Sequence, residues 1–227
     1  MRLRAINRCR YILLARAGLV MICPDRSFYN RSTELVAMEL LGNKLVRLMS
    51  HGQEKPKRVS GIIVETEAYG SNEDAASHAF RGLTLRNAVM FGEVGRAYIY
   101  FIYGNHFCLN VSAKPLEIEA GAVLIRALQP VEGLKIMKIF RKNCQELSLT
   151  SGPGKLSQAL NIQKSLNGED MTDEKSDIHI EFGVKPPGMI ATKRIGTSRA
   201  LDKKWRFVSL SLSEQGFVKN RFASRRG

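Results

Sequence analysis

From residue 30 to 41 apolar side chains recur at helical spacing. Leu35, Val36, Met38, Leu40 and Leu41 follow the cap-type residues Asn30, Ser32 and Thr33. The pattern predicts an amphipathic helix over residues 30–41, closed by Gly42. The period then changes to two. Across residues 59–69, Ile62, Val64, Thr66 and Ala68 fall on one face of a strand, and Ile63, Glu65, Glu67 and Tyr69 on the other. Further strands are predicted over residues 97–102, 107–112 and 122–128, the first two joined through Tyr103-Gly104-Asn105-His106 as a hairpin tip. Leu134, Met137, Ile139 and Phe140 interleave with lysines and predict a helix over residues 132–143. Residues 167–178, acidic and polar behind Gly168, read as an exposed loop, and residues 205–212 as a last strand. Strands come in runs instead of alternating with helices, which predicts an α+β fold with a largely antiparallel sheet.

The chain has 227 residues, 44% of them hydrophobic and 25% charged, which suits one folded domain. No apolar run reaches the ~18–20 residues of a membrane helix; the longest, residues 11–23, is broken by Arg16. Charge adds more. The net charge is +14, and residues 1–31 and 193–227 carry all of the surplus, +6 and +8. Such a surplus favours a polyanionic partner, nucleic acid above all, through phosphate contacts and counterion release. Cys9, Cys23, Cys108 and Cys144 have neither paired nor regular spacing, so they read as reduced thiols of an intracellular protein, in cytoplasm and nucleoid or in a nucleus. The arginine-rich residues 1–20 loosely resemble a leader but lack a clean cleavage site. They are expected to lie outside the core domain, residues 21–227.

Glu65 and Glu67 are the sharpest candidates for chemistry. Two carboxylates at i and i+2 of a strand stand ~7 Å apart, and their mutual repulsion raises the pKa of one, as general acid–base work requires. Asp74 and His78 would share a helix face at i, i+4 and could hold a metal, although a third ligand is missing. Tyr98, Tyr100 and Tyr103 concentrate three tyrosines in six residues, either as core packing or as a platform for nucleobases. No GxGxxG opens a helix and no Walker A is present. Gly152-Pro153-Gly154-Lys155 has the wrong spacing for a phosphate loop, and Pro153 removes a backbone donor. No cofactor and no metal are expected.

Several of these segments, in this order, resemble the alkyladenine (3-methyladenine) DNA glycosylase family, the eukaryotic-type methylpurine DNA glycosylases. The likeness runs from about Leu35 to Phe207. It is carried by Leu41-Gly42, Val64-Glu65-Thr66-Glu67-Ala68-Tyr69, Ala76-Ser77-His78, Thr84 with Arg86-Asn87, and Tyr98-Ile99-Tyr100 through Tyr103-Gly104. Phe107-Cys108-Leu109-Asn110-Val111, Val123-Leu124-Ile125-Arg126-Ala127-Leu128 and Ser151-Gly152-Pro153-Gly154-Lys155-Leu156 complete it. The resemblance implies a single domain with a curved sheet, flanking helices and a protruding hairpin. It implies a monofunctional enzyme that flips out and hydrolyses away alkylated purines (3-methyladenine, 7-methylguanine), with deaminated hypoxanthine as a further candidate. By the same resemblance Glu67 activates water, and Arg126 stands beside the reacting sugar and its phosphate. Tyr69, His78, Tyr100 and Asn110 wall the base pocket, and Asn110 crowds the amino group of guanine. Tyr103 is the wedge inserted into the duplex, while Thr84, Arg86 and Lys155 contact DNA. The partner implied is double-stranded DNA with damaged purines, bound by a monomer without membrane contact. Asn105 and His106 depart from the vertebrate pattern of an apolar residue followed by an aromatic one.

Two other readings compete on residues alone. A non-catalytic nucleic-acid binder suits the charge and the tyrosines but has no use for Glu67. A metal-dependent hydrolase would have to assemble Glu65, Glu67, Asp74 and His78 around one ion.

Overall fold

In a computed structural model, which describes residues 22–49, 56–102, 106–142 and 144–210, the strands form one curved antiparallel sheet. They are β1 (Lys44–Met49), β2 (Lys57–Tyr69), β3 (Ala97–Ile102), β4 (His106–Ser112), β5 (Ala122–Glu132), β6 (Ile178–Glu181), β7 (Met189–Thr192) and β8 (Arg206–Ser209). Their order is β3-β4-β5-β2-β1-β6, with β8 added to β2 and β7 to β8. The long strand β2 is the spine. β5 pairs along one edge of it; the other edge is shared, β1 taking residues 57–62 and β8 taking Glu65, Thr66 and Glu67.

Short helices flank the sheet, four of them packing into the main core and the other, residues 88–91, against Tyr98 and Ala122 on the cleft side. They are α1 (Arg26–Tyr29), α2 (Thr33–Glu39), α3 (Ala88–Phe91), α4 (Leu134–Phe140) and α5 (Pro153–Ala159). Val36 and Ala37 of α2, Met137 of α4, and Leu156 and Ala159 of α5 join Leu45, Ile63, Ile125 and Leu128 in the main core. The Ser32 side chain caps α2 by accepting from the Leu35 N–H. Gly42 closes the segment with φ +88°, where a Cβ would also lie 2.2 Å from the Val184 carbonyl oxygen. Gly133, at φ +73°, ends β5 and starts α4, so the helix expected from residue 132 begins at Leu134. Among the described residues no helix is long and apolar enough to cross a membrane.

Three sequence expectations change. The strict alternation assigned to β2 fails, because Ile63 and Ala68 enter the main core and the Thr66 hydroxyl donates to the Ala37 carbonyl of α2. Ile62 and Val64 instead pack with Ala127 in a separate cluster. The cause is a pair of compensating bulges. Ile63 faces Leu128 but Glu65 faces Ala127, and Thr66 faces Ile125, so Val64 is extra on β2 and Arg126 on β5. Residues 167–178 are not a plain exposed loop either. Met171 is buried, Asp170 accepts from Arg26 and lies in ion-pair range of Arg96, and Ile178 opens β6. Residues 71–80 form turns, so Asp74 and His78 do not share a helix face. The expected extension, residues 1–20, lies outside the described residues.

Candidate active site

The bulges decide where the charges go. Because Arg126 is the extra residue on β5, its guanidinium reaches both glutamates of β2: Nε donates to Glu65 Oε1 at 2.9 Å and Nη1 to Glu67 Oε2 at 3.1 Å. From the other edge, β8 brings Arg206, whose Nε donates to Glu65 Oε1 at 2.7 Å. Glu65, Glu67, Arg126 and Arg206 are all buried. Burial alone would lower the Arg126 pKa, but Glu67 and Glu65 more than offset it and hold the cation charged.

Glu67 is fully enclosed and accepts three hydrogen bonds. The Tyr69 hydroxyl (2.8 Å) and Arg126 share one oxygen, and the Ile195 N–H (2.8 Å) takes the other. A carboxylate offers about four lone-pair sites, so one stays open to a further donor such as water. Glu67 itself is not on the surface of the adjoining cleft, but Tyr69, Arg126 and Ile195, its three donors, all are.

That cleft has a volume of about 550 Å³ and an aromatic wall. Tyr98 and Tyr100 point from the same face of β3, their centroids 5.3 Å apart. His78 stands edge-on to Tyr100 at 4.5 Å, and its Nδ1 is 2.9 Å from the Tyr98 hydroxyl. Asn110, opposite Tyr98 on β4, donates its side-chain N–H to the Tyr98 carbonyl at 2.9 Å and lines the same cleft. Burial pushes the Tyr98 hydroxyl up to about 12, and those of Tyr69 and Tyr100 upward as well, so all three are neutral phenols. Burial, and then the charge of Arg86, lowers His78, which favours the neutral imidazole near pH 7.

The structure therefore gathers Glu67, Arg126, Tyr69, His78, Tyr100 and Asn110 around one cleft. Arg86 sits at its edge, with its guanidinium 5.5 Å from the Tyr100 ring centroid. Thr84 does not line the cleft. Its N–H donates to Asn87 Oδ1, and Asn87 in turn holds the His78 carbonyl, so Thr84 braces the turn beneath His78. Lys155 is exposed in the first turn of α5, next to Gly154 on the cleft wall. Tyr103 lies outside the described residues. Asp74 and His78 go to different partners, Arg194 and Tyr98, so the metal-hydrolase alternative loses its ligand pair.

Sequence reasoning missed the segment 194–199. Ile195, Gly196, Thr197, Ser198 and Arg199 form one side of the cleft, yet Ile195 is 128 positions from the glutamate it contacts. No local periodicity links residues that far apart; the one hint is Gly196, whose φ of +78° marks a turn.

Residues 27–211 match the family model described as Methylpurine-DNA glycosylase (MPG). A protein of Koribacter versatilis named "Putative 3-methyladenine DNA glycosylase" is 42% identical over 200 residues, covering 86% of this chain and 94% of the relative. Proteins of the same name from Carboxydothermus hydrogenoformans (46% over 189 residues, 82% and 94% covered) and Prosthecochloris aestuarii (44% over 183 residues, 80% and 85% covered) are similar too. The chain belongs to the methylpurine-DNA glycosylase family: it is a DNA glycosylase, a hydrolase of N-glycosyl bonds that acts on DNA.

Proposed function

We propose that this family member is a monofunctional glycosylase that removes alkylated purines, 3-methyladenine and 7-methylguanine, and deaminated hypoxanthine from double-stranded DNA. It acts as a monomer and leaves an abasic site. The names of the relatives support the first of these bases. The observation that carries the mechanism is the Glu67 carboxylate, held by three donors next to an aromatic cleft.

A base cannot be attacked within the stack, so the nucleotide is rotated out at a cost of ~a few kcal/mol, least at damaged pairs. Tyr103 is the residue proposed to fill the vacated stack. Tyr69, His78 and Tyr100 hold the extruded base, and a cationic methylpurine gains cation–π attraction there. Asn110 crowds the exocyclic amino group of guanine. Bond cleavage passes through an oxocarbenium-like sugar, as in glycoside hydrolysis. Glu67 accepts the proton of the attacking water through its open lone pair, and its charge stabilises that cation. Arg126 stands beside the sugar and its phosphate. No lysine is among the described residues lining the cleft, which supports hydrolysis over a Schiff-base route. Arg86 and Lys155 grip phosphate, with Thr84 bracing the loop that carries Arg86.

Duplexes carrying a single modified purine, treated with alkali after incubation, give strand breaks at the lesion if the base is released. Glu67→Gln should slow release by ~10²–10⁴-fold or more while keeping its affinity for lesion DNA. Near-wild-type release by that variant would overturn the reading.

A further inference from the structure

Arg194 and Asp74 form a second buried ion pair, and neither is assigned a part in the chemistry above. Both side chains are fully buried. The pairing is bidentate, Nη1 to Oδ2 and Nη2 to Oδ1, each at 2.6 Å, and Nη1 also donates to the Ala68 carbonyl at 2.9 Å. The guanidinium lies over two rings, 4.6 Å from the Tyr69 centroid and 5.3 Å from that of Trp205. Its Nε has no hydrogen-bond partner among the described residues. A buried donor left unpaired is costly, so the guanidinium is held where the stack and the fork require and not where all its hydrogens are satisfied.

The pair ties together the segments that build the site. Asp74 accepts from the Gly70 and Ala76 N–H groups and so fixes the turn after β2, of which Ala76 lines the cleft. Arg194 immediately precedes Ile195. Two of the three donors to Glu67 therefore adjoin Arg194, Tyr69 through its ring and the Ile195 N–H as the next residue in the chain. Stability alone is a weak reason for such a pair, since buried pairs often match apolar replacements of the same volume.

We infer that Arg194 and Asp74 are positioning residues for the glycosylase reaction, setting Tyr69 and the Ile195 N–H against Glu67. The inference rests on the function proposed above. Lysine at 194 keeps the charge but cannot hold the fork, the Ala68 carbonyl and both rings at once. Small misplacements near reacting groups cost up to ~10²-fold in rate.

The test measures single-turnover base release at saturating enzyme, lesion-DNA affinity and melting temperature for Arg194→Lys. The neutral pair Asp74→Asn/Arg194→Gln serves as the second variant, because it leaves no lone buried charge. In folded protein the rate should fall by roughly 10- to 100-fold with affinity within about threefold of wild type. Combined with Tyr69→Phe, the loss should fall short of the product of the single losses by at least about twofold, because both changes act on the same donor. An unchanged rate, a parallel fall in rate and affinity, or losses that multiply would overturn the inference, as would failure of both variants to fold. Wild-type protein that released no base from any lesion duplex would overturn the proposed function and this inference together. An active wild type with a silent Arg194→Lys overturns the inference alone.

Discussion

Glu65 has no assigned step in catalysis, yet its replacement should be among the most damaging to the fold. It is buried, and its Oε1 accepts from both Arg126 and Arg206, at 2.9 and 2.7 Å. Glu65→Gln keeps the shape and removes the charge between two enclosed guanidiniums. Each opposite charge at ~4 Å contributes about 4 kcal/mol at an effective dielectric of 20, so two such attractions are lost. Relief of repulsion from Glu67, ~7 Å away along the strand, returns about 2 kcal/mol. The neutral side chain also escapes part of the desolvation cost of a carboxylate. The remainder is roughly 3–5 kcal/mol, the usual cost of removing one partner from a buried pair.

For a domain of this size about 2–4 °C of melting temperature goes with each kcal/mol, so thermal unfolding should come ~6–20 °C earlier. Differential scanning calorimetry at pH 7 measures it directly. Glu132→Gln is the internal control. Glu132 also accepts from an arginine, Arg58 at 2.8 Å, but both side chains are a third or more exposed. Solvent screening limits that loss to about 1 kcal/mol or less. If Glu65→Gln melted within about 2 °C of the wild type, or no lower than the control, the charge network would not be holding β5 and β8 to β2.

Two further outcomes follow from the site. His78 should titrate below the ordinary imidazole value of 6.5 in an NMR pH series, and Arg86→Gln should move it upward without fully restoring it, because burial is the larger cause and Arg86 the smaller. Its folded value is the depressed one, so protonation opposes folding, and stability should fall as the pH drops through and below 6.5; a His78 titration at or above 6.5 contradicts the packing described. Lys155→Ala should weaken binding to damaged and undamaged duplexes alike and reduce the slope of log affinity against log salt by about 0.9, one phosphate contact; an unchanged slope would place Lys155 off the DNA path.

Most of this was legible wherever a local rule applies. Strands β2, β3, β4 and β5 were each read from the sequence, and the two glutamates and the tyrosines were singled out from spacing before any partner was known. What failed were the features set by register. A bulge is one residue of slippage between strands, and nothing in residues 59–69 alone says that Val64 is extra or that Arg126 answers it across the ladder. Of the missed strands β1, β6 and β7, the last two are only four residues long and lack the longer alternating run, residues 205–212, that revealed the equally short β8. Such lengths carry too few alternations to register as a pattern. Asp74 was misread because its neighbours suggested a helix, whereas its partner, Arg194, comes 120 residues later.

The same register effect bears on how a buried carboxylate can stay useful. Glu65, Glu67 and Asp74 face Arg126, Arg194 and Arg206, so the six buried ions balance. Balance alone would defeat the proposed mechanism, since a glutamate fully neutralised by an arginine has little attraction left for an oxocarbenium ion. The partners divide the labour. Arg126 donates to both glutamates, to Glu65 through Nε at 2.9 Å and to Glu67 through Nη1 at 3.1 Å, while Arg206 adds a second cation at Glu65. The other two donors to Glu67, a phenol and a backbone N–H, are neutral. Glu65 thus accepts from two guanidiniums, whereas Glu67 accepts from one and from two neutral dipoles. Dipoles fixed before the reaction orient a carboxylate without cancelling its charge, which is the condition for stabilising a cation that exists only in the transition state.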